Sequence, residues 1–262
     1  KGRSGRNGAE AVWSRLQACP SVVRYARMQE PPAGRPAAEG GHPRDGRGRR
    51  AMEQGEEQYG FHFDGSRCTG CKTCMLACKD YYDLPSDVAF RQVYEYEGGS
   101  WCTDERGQWT HDSYAYYVSV SCNHCAKPVC IEVCPTGAMH KDAHGLVSVD
   151  ERRCIGCGYC ALSCPYRAPK VDRSVGHSVK CDGCASRMAE GRLPVCVEAC
   201  PLRALDFGPI AELRERHGGV ADLPPLPDVS ATGPHLVITP PACVQKRHGL
   251  VDGGVANADE IV

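Results

Sequence analysis

Sixteen of the nineteen cysteines fall into four short runs, and these are the side chains with the most chemistry to offer. The first run, "CTGCKTCMLAC", holds Cys68, Cys71, Cys74 and Cys78 at spacing C-x2-C-x2-C-x3-C. The second, "CNHCAKPVCIEVCP", holds Cys122, Cys125, Cys130 and Cys134. The third, "CIGCGYCALSCP", holds Cys154, Cys157, Cys160 and Cys164. The fourth, "CDGCASRMAEGRLPVCVEACP", holds Cys181, Cys184, Cys196 and Cys200, with eleven residues inserted after the second cysteine. Thiolates are soft ligands, so zinc and iron–sulfur centres are the natural candidates. Disulfides fit poorly, because cysteines two apart in one loop are badly placed to pair with each other. Structural zinc usually takes two C-x2-C pairs across a longer loop, whereas three or four sulfurs crowd each arc here.

The spacing C-x2-C-x2-C-x3-C-P is the bacterial ferredoxin signature for [4Fe–4S] clusters. Three cysteines two residues apart let one loop wrap three corners of a cubane while backbone N–H groups face its sulfides. Cys74 and Cys78 are four apart, so a helix starting at Cys74 puts both on one face, with Cys78 a turn farther along. Cys78 then reaches away from the cluster of its own loop. In two-cluster ferredoxins the fourth cysteine ligates the other cluster, so the four groups must work in pairs. Either group one pairs with two and three with four, or two pairs with three inside one with four. Only a short hairpin separates groups two and three, which favours the nested arrangement.

The elements that must position these loops are short. "GAMHKDAHGLVSVD" reads as a hairpin with its turn at Asp142 to Gly145. "FRQVYEYEGG" and "SYAYYVSVS" are expected to pair as a second, longer hairpin. "GPIAELRERHGG" sets Pro209 at a helix start and Gly218 just past its end. The following Pro-rich stretch "LPPLPDVSATGPHLVITPP" is expected to run extended along the surface. The fold class expected is α+β: two ferredoxin-like modules, one nested in the other, with loop-rich connections. The outer module takes 59–94 and 176–210, the inner 95–175, and 211–262 forms a helix and a C-terminal arm.

Composition narrows the function. Residues 1 to 50 carry eleven Lys or Arg against four acids, leaving 20 basic and 28 acidic residues beyond. The cysteine-rich body is thus acidic, which argues against nucleic acid as a partner. Segment 1–58 has too few large apolar residues to offset ordering entropy and reads as a disordered basic extension. Met52 allows translation to begin just before the patterned sequence. "GRGRRA" at 46–51 has no strand before it and is rejected as a dinucleotide motif. No apolar run reaches the roughly 18 residues a membrane helix needs, and no export signal is recognisable. No C-x-x-C is followed by His, which excludes c-type haem attachment. Cys19, Cys102 and Cys243 stand alone and receive no role. His124, inside "CNHC", reads as a loop-surface histidine before it reads as a residue that tunes a cluster.

Together the four runs, with "PLRALDFG" after the last, resemble the iron–sulfur electron-transfer subunit of the dimethyl sulfoxide reductase family over residues 59 to about 240. The inserted fourth run and "PLRALDFG" are not general ferredoxin features. The related subunit of respiratory nitrate reductase carries Trp where this chain has Cys157, and that of formate dehydrogenase ends in a membrane helix that is not found here. The resemblance implies four [4Fe–4S] clusters in a row. It also implies a molybdopterin-containing catalytic partner and a quinol-oxidising membrane anchor. The chain itself would be non-catalytic, attached to the membrane through those partners on a side this sequence does not fix. By the nested pairing, Cys68, Cys71 and Cys74 are completed by Cys200, and Cys181, Cys184 and Cys196 by Cys78. Cys122, Cys125 and Cys130 are completed by Cys164, and Cys154, Cys157 and Cys160 by Cys134. The alternative is a free soluble polyferredoxin, which would elute alone where a subunit elutes with a large partner.

Overall fold

The computed structural model describes residues 58–246 and 253–261. The basic extension up to residue 57, including the 46–51 segment and Cys19, lies outside the described residues. By compactness, Gly98–Tyr114 belongs to one unit, while Gln58–Glu97 and the sequence from Ala115 onward form another.

Twelve strands and seven α-helices order the described residues. The strands are β1 (Tyr59–Asp64), β2 (Gln92–Gly98), β3 (Trp101–Thr103), β4 (Trp109–His111), β5 (Tyr114–Val120), β6 (Met139–Lys141), β7 (Val147–Val149), β8 (Lys170–Asp172), β9 (His177–Val179), β10 (Leu205–Pro209), β11 (Leu236–Thr239) and β12 (Gly253–Val255). The helices are α1 (Thr73–Tyr81), α2 (Val129–Glu132), α3 (Tyr159–Ser163), α4 (Ala185–Ala189), α5 (Val195–Glu198), α6 (Ile210–His217) and α7 (Ala242–Lys246).

The larger unit is built on a three-stranded sheet ordered β10-β1-β11, with β1 antiparallel to β10 and parallel to β11. The inward side chains are aromatic: the Phe61 and Phe207 rings lie 4.7 Å apart. Helix α6 starts after Pro209, whose missing N–H is no loss there, and ends at Gly218 with φ of 58°. Its fully buried Leu213, together with Ile210, packs on Val237. The C-terminal arm therefore differs from the surface run expected of it. Leu236, Val237 and Ile238 are buried because β1 offers them a free edge.

Strands β2 and β5 are neighbours in a second sheet, as the sequence suggests, and β12 adds to the other side of β2. Asn257 fastens that end of the chain by donating to the Val93 carbonyl at 2.9 Å and accepting from the Glu95 N–H at 2.8 Å. The hairpin β6–β7 turns through Asp142, whose carboxylate accepts the N–H groups of His144 and Leu146. A second short hairpin, β8–β9, follows group three.

The smaller unit contributes the hairpin β3–β4 with Cys102 opposite Thr110. Asp104 holds its turn by accepting N–H from Arg106 and Gln108. Cys102 is disulfide-bonded.

Among the described residues no helix is long and apolar enough to cross a membrane.

Candidate iron–sulfur centres

Each cysteine loop is shaped by backbone that ordinary residues avoid. Gly70, just before the second cysteine of group one, has φ of 68°, and a Cβ there would meet the Tyr117 ring at 2.3 Å. Gly156 and Gly183 hold the matching place in groups three and four, also at positive φ. Group two has His124 in this place, at φ of 44°. Lys72 and Gly158, next after the second cysteines of groups one and three, are left-handed as well. Alternating the two helical hands curls successive N–H groups toward one side, a concavity suited to anionic sulfide and thiolate.

In each group a helix carries the third cysteine, and in group one it carries the fourth as well. Helix α1 carries Cys74 and Cys78, both buried. It lies against α5, which carries Cys196, while α2 lies against α3, joining groups two and three. The sulfurs gather accordingly. Cys68, Cys71, Cys74 and Cys200 line one pocket. Cys122, Cys125, Cys130 and Cys164 line another. Cys78 is buried among the other three of group four: burial raises its thiol pKa, and the thiols of Cys181, Cys196 and Cys184 add to the rise while Arg91 opposes it. Burial likewise raises the Cys160 pKa, the Ser178 hydroxyl opposes it, and Cys154 and Cys157 add smaller rises. Cys134 packs on the small core of Met139, Val147 and Cys160, where Cys130 also packs. Cys243, on α7, is a free and half-buried thiol.

This donor set fits an iron–sulfur cubane. Burial pushes Cys68 and Cys125 up to about 11 and Cys130 and Cys181 up to about 12, so these thiols stay protonated at neutral pH until a metal takes the proton's place. Among the described residues no three His, Cys, Asp or Glu side chains converge on one single-ion position. Four thiols around a cavity suit a polynuclear centre better than one zinc ion.

Hydrogen bonds reach the sulfurs from residues the sequence did not single out. Ser119 Oγ lies 3.4 Å from Cys74 Sγ, and Ser178 Oγ lies 3.3 Å from Cys160 Sγ. Backbone N–H groups of Ser178, Gly183 and Ala204 donate to Cys154, Cys181 and Cys200. The signal for Ser119 was the "SVS" at the end of an otherwise apolar strand, which puts Ser119 and Ser121 on one side. Lys180 is buried and donates to the carbonyls of Val147 and Cys181.

His124 corrects its sequence reading. It is fully buried, and its Nδ1 accepts the Val147 N–H at 2.9 Å, so the ring proton sits on Nε2. Burial, with Lys180 next, holds its pKa well below 6.5 and the ring neutral. Nε2 has no partner among the described residues.

Residues 113–210 match the 4Fe-4S dicluster domain family. The B subunit of the anaerobic dimethyl sulfoxide reductase of Haemophilus influenzae is 59% identical over 184 residues, which cover 70% of this chain and 90% of that subunit. Its counterpart, the B subunit from Escherichia coli K12, is 56% identical over 204 residues, covering 78% of this chain and 98% of the other. Identity to the thiosulfate reductase electron transfer subunit PhsB of Salmonella typhi is 38% over 156 residues, covering 59% of this chain and 78% of the other.

Proposed function

Because this protein belongs to the family of the anaerobic dimethyl sulfoxide reductase B subunit, the iron–sulfur electron-transfer subunit, we propose that it holds four [4Fe–4S] clusters on its sixteen grouped cysteines. They form two ferredoxin-like modules, groups two and three within groups one and four. The observation that carries this reading is the exchange of fourth cysteines: Cys200 shares a cavity with Cys68, Cys71 and Cys74, and Cys164 shares one with Cys122, Cys125 and Cys130. The contacts of α1 with α5 and of α2 with α3 support the same pairing.

When bound, such clusters supply one-electron transfer over a potential range set by burial, net charge and hydrogen bonds to sulfur. The protein's own residues do the rest. The cysteines fix the corners, the curled loops direct N–H groups at sulfur, and Phe61, Val93 and Leu205 keep water from the interior. The protein takes electrons from a quinol-oxidising membrane anchor and delivers them to a molybdopterin-containing catalytic subunit, so the substrate is reduced elsewhere. Exposed Ile155, Tyr159 and Leu162 beside exposed Cys157 support contact of the group-three end with a partner.

Iron and acid-labile sulfide analysis after anaerobic isolation tests the cluster count, with about sixteen of each expected per chain. A value near half of that, or stoichiometric zinc, overturns it.

A further inference from the structure

Arg91 is 1% exposed, yet among the described residues no carboxylate pairs with it. One terminal nitrogen donates to the Ser119 carbonyl at 3.3 Å and to Ser119 Oγ at 3.1 Å, and the other donates to Ser121 Oγ at 3.0 Å. Its central carbon lies 4.9 Å from the Phe61 ring centroid. Its Nε is buried and has no acceptor among the described residues. A guanidinium does not give up its proton in a protein, and a buried charge without a counter-charge costs several kcal/mol. Neutral hydroxyls and a ring face do not cancel a full charge, so the compensation lies with another anion.

The anions at hand are sulfurs. Burial alone would lower the Arg91 pKa, but negative charge on Cys196, Cys74, Cys181 and Cys78, which become thiolates when they ligate a metal, outweighs it and raises the value. In the pairing proposed above, Cys74 belongs to one cluster of the outer module, and Cys78, Cys181 and Cys196 belong to the other. Arg91 thus counts ligands of both centres among its electrostatic partners, and each centre carries net negative charge when ligated by four thiolates. Toward the first it also acts through a directed contact. Ser119 Oγ accepts from Arg91, which leaves its own proton free for Cys74 Sγ at 3.4 Å. Cys160 has a matching serine, Ser178 at 3.3 Å, but no arginine donates to that hydroxyl among the described residues.

We propose that Arg91 is the shared counter-cation of the two outer-module clusters and raises both reduction potentials together, with Ser119 relaying a further hydrogen bond to one of them through Cys74. Reduction adds negative charge, so a fixed positive charge nearby favours the reduced form. A hydrogen bond to a ligating sulfur acts in the same direction. Arg91 is a positioning and tuning residue, and it takes no part in substrate chemistry. The inference rests on the cluster pairing proposed for this protein.

The test is redox-titrated electron paramagnetic resonance on the full-length protein, isolated anaerobically with its clusters, in the variants Arg91→Gln, Arg91→Lys and Ser119→Ala, with iron measured in each. Arg91→Gln should move two signals to lower potential, each by about tenfold in the reduced-to-oxidised ratio at fixed potential, which is about 59 mV for one electron. Arg91→Lys should keep both near the parent values. Ser119→Ala should lower a single signal, the one abolished by Cys74→Ser. Full iron with no shift in Arg91→Gln, or a shift of one signal only, overturns the proposal. If Arg91→Gln fails to load iron, Ser119→Ala decides: one downward shift supports the proposal, and none overturns it. Failure of the pairing itself looks different, because Cys74→Ser and Cys78→Ser would then abolish the same signal.

Discussion

Tyr82 donates its hydroxyl to the carboxylate of Asp182, fastening the end of α1 to the loop that follows Cys181. Tyr81 and Ser186 add a second bond across the same seam at 3.0 Å. Both tyrosines follow Cys78 within a turn, so the seam turns that sulfur toward group four and away from its own loop. It follows that Cys78→Ser and Cys181→Ser should damage one and the same cluster, while Cys71→Ser damages another. Redox-titrated resonance spectra of the three variants check this. If Cys78→Ser and Cys71→Ser removed the same signal, each group would bind its own cluster and the exchange would be wrong.

Leu213 tests the scaffold apart from the clusters. It is fully buried on α6 against Ile210 and Val237, on the sheet that joins the first strand to the C-terminal arm. Leu213→Ala should cost about 2–5 kcal/mol, the range for a large-to-small change in a packed core. Denaturant titration of the cluster-loaded protein measures it, and iron content at low denaturant should stay at the parent level. A cost below about 0.5 kcal/mol, the usual span of surface substitutions, would show that α6 is not part of the core.

The parts of this fold that could be read from sequence are those whose causes are local. The β6–β7 hairpin declares itself through Asp142 and Gly145, and α6 through Pro209 and Gly218, because turn and cap chemistry act within a few residues. The cysteine loops declare themselves by spacing. Strand β11 does not, since "HLVIT" is buried by pairing with β1, far away in sequence and in parallel, and by α6 packing on Val237. Arg91 is no more legible: in "FRQVYEYE" it looks like a solvated charge, and the groups it is buried against, Ser119, Ser121 and cysteine sulfurs, are all distant in sequence. His124 carried a signal that was available. It occupies the place where the other three groups have glycine, and a residue held at positive φ in such a loop has little freedom to sit at the surface.

Cys157 is the exposed cysteine of group three. Cys157→Ser should strip one iron from the cluster that Cys154 and Cys160 share with it and convert that cluster alone to a [3Fe–4S] form, with a changed spin signal and potential. Iron should fall by about one atom per molecule from the roughly sixteen of the parent. Spectra in which every cluster keeps its parent signal would remove Cys157 from the ligand set.

Ser178 contacts Cys160 by its hydroxyl, and Cys134 packs on the core that contains Cys160. Ser178 sits on β9 with its hydroxyl 3.3 Å from Cys160 Sγ, and its backbone N–H donates to Cys154 Sγ at the same distance. Ser178→Ala removes the first bond and keeps the second, so the cluster should remain and its potential should fall. The expected change is of the order of tenfold in the reduced-to-oxidised ratio, about 59 mV for one electron. Cys134 approaches through the core of Met139 and Val147, where Cys160 also packs. If groups two and three exchange their fourth cysteines, Cys134→Ser should alter the same signal that Cys157→Ser converts and Ser178→Ala shifts, even though Cys134 sits in the group-two run. Cys125→Ser should alter a different signal. Potentiometric resonance titrations of the four variants provide the check. A Cys134→Ser spectrum that loses the Cys125 signal would place Cys134 on its own group's cluster and break the exchange in the inner module, whatever holds in the outer one.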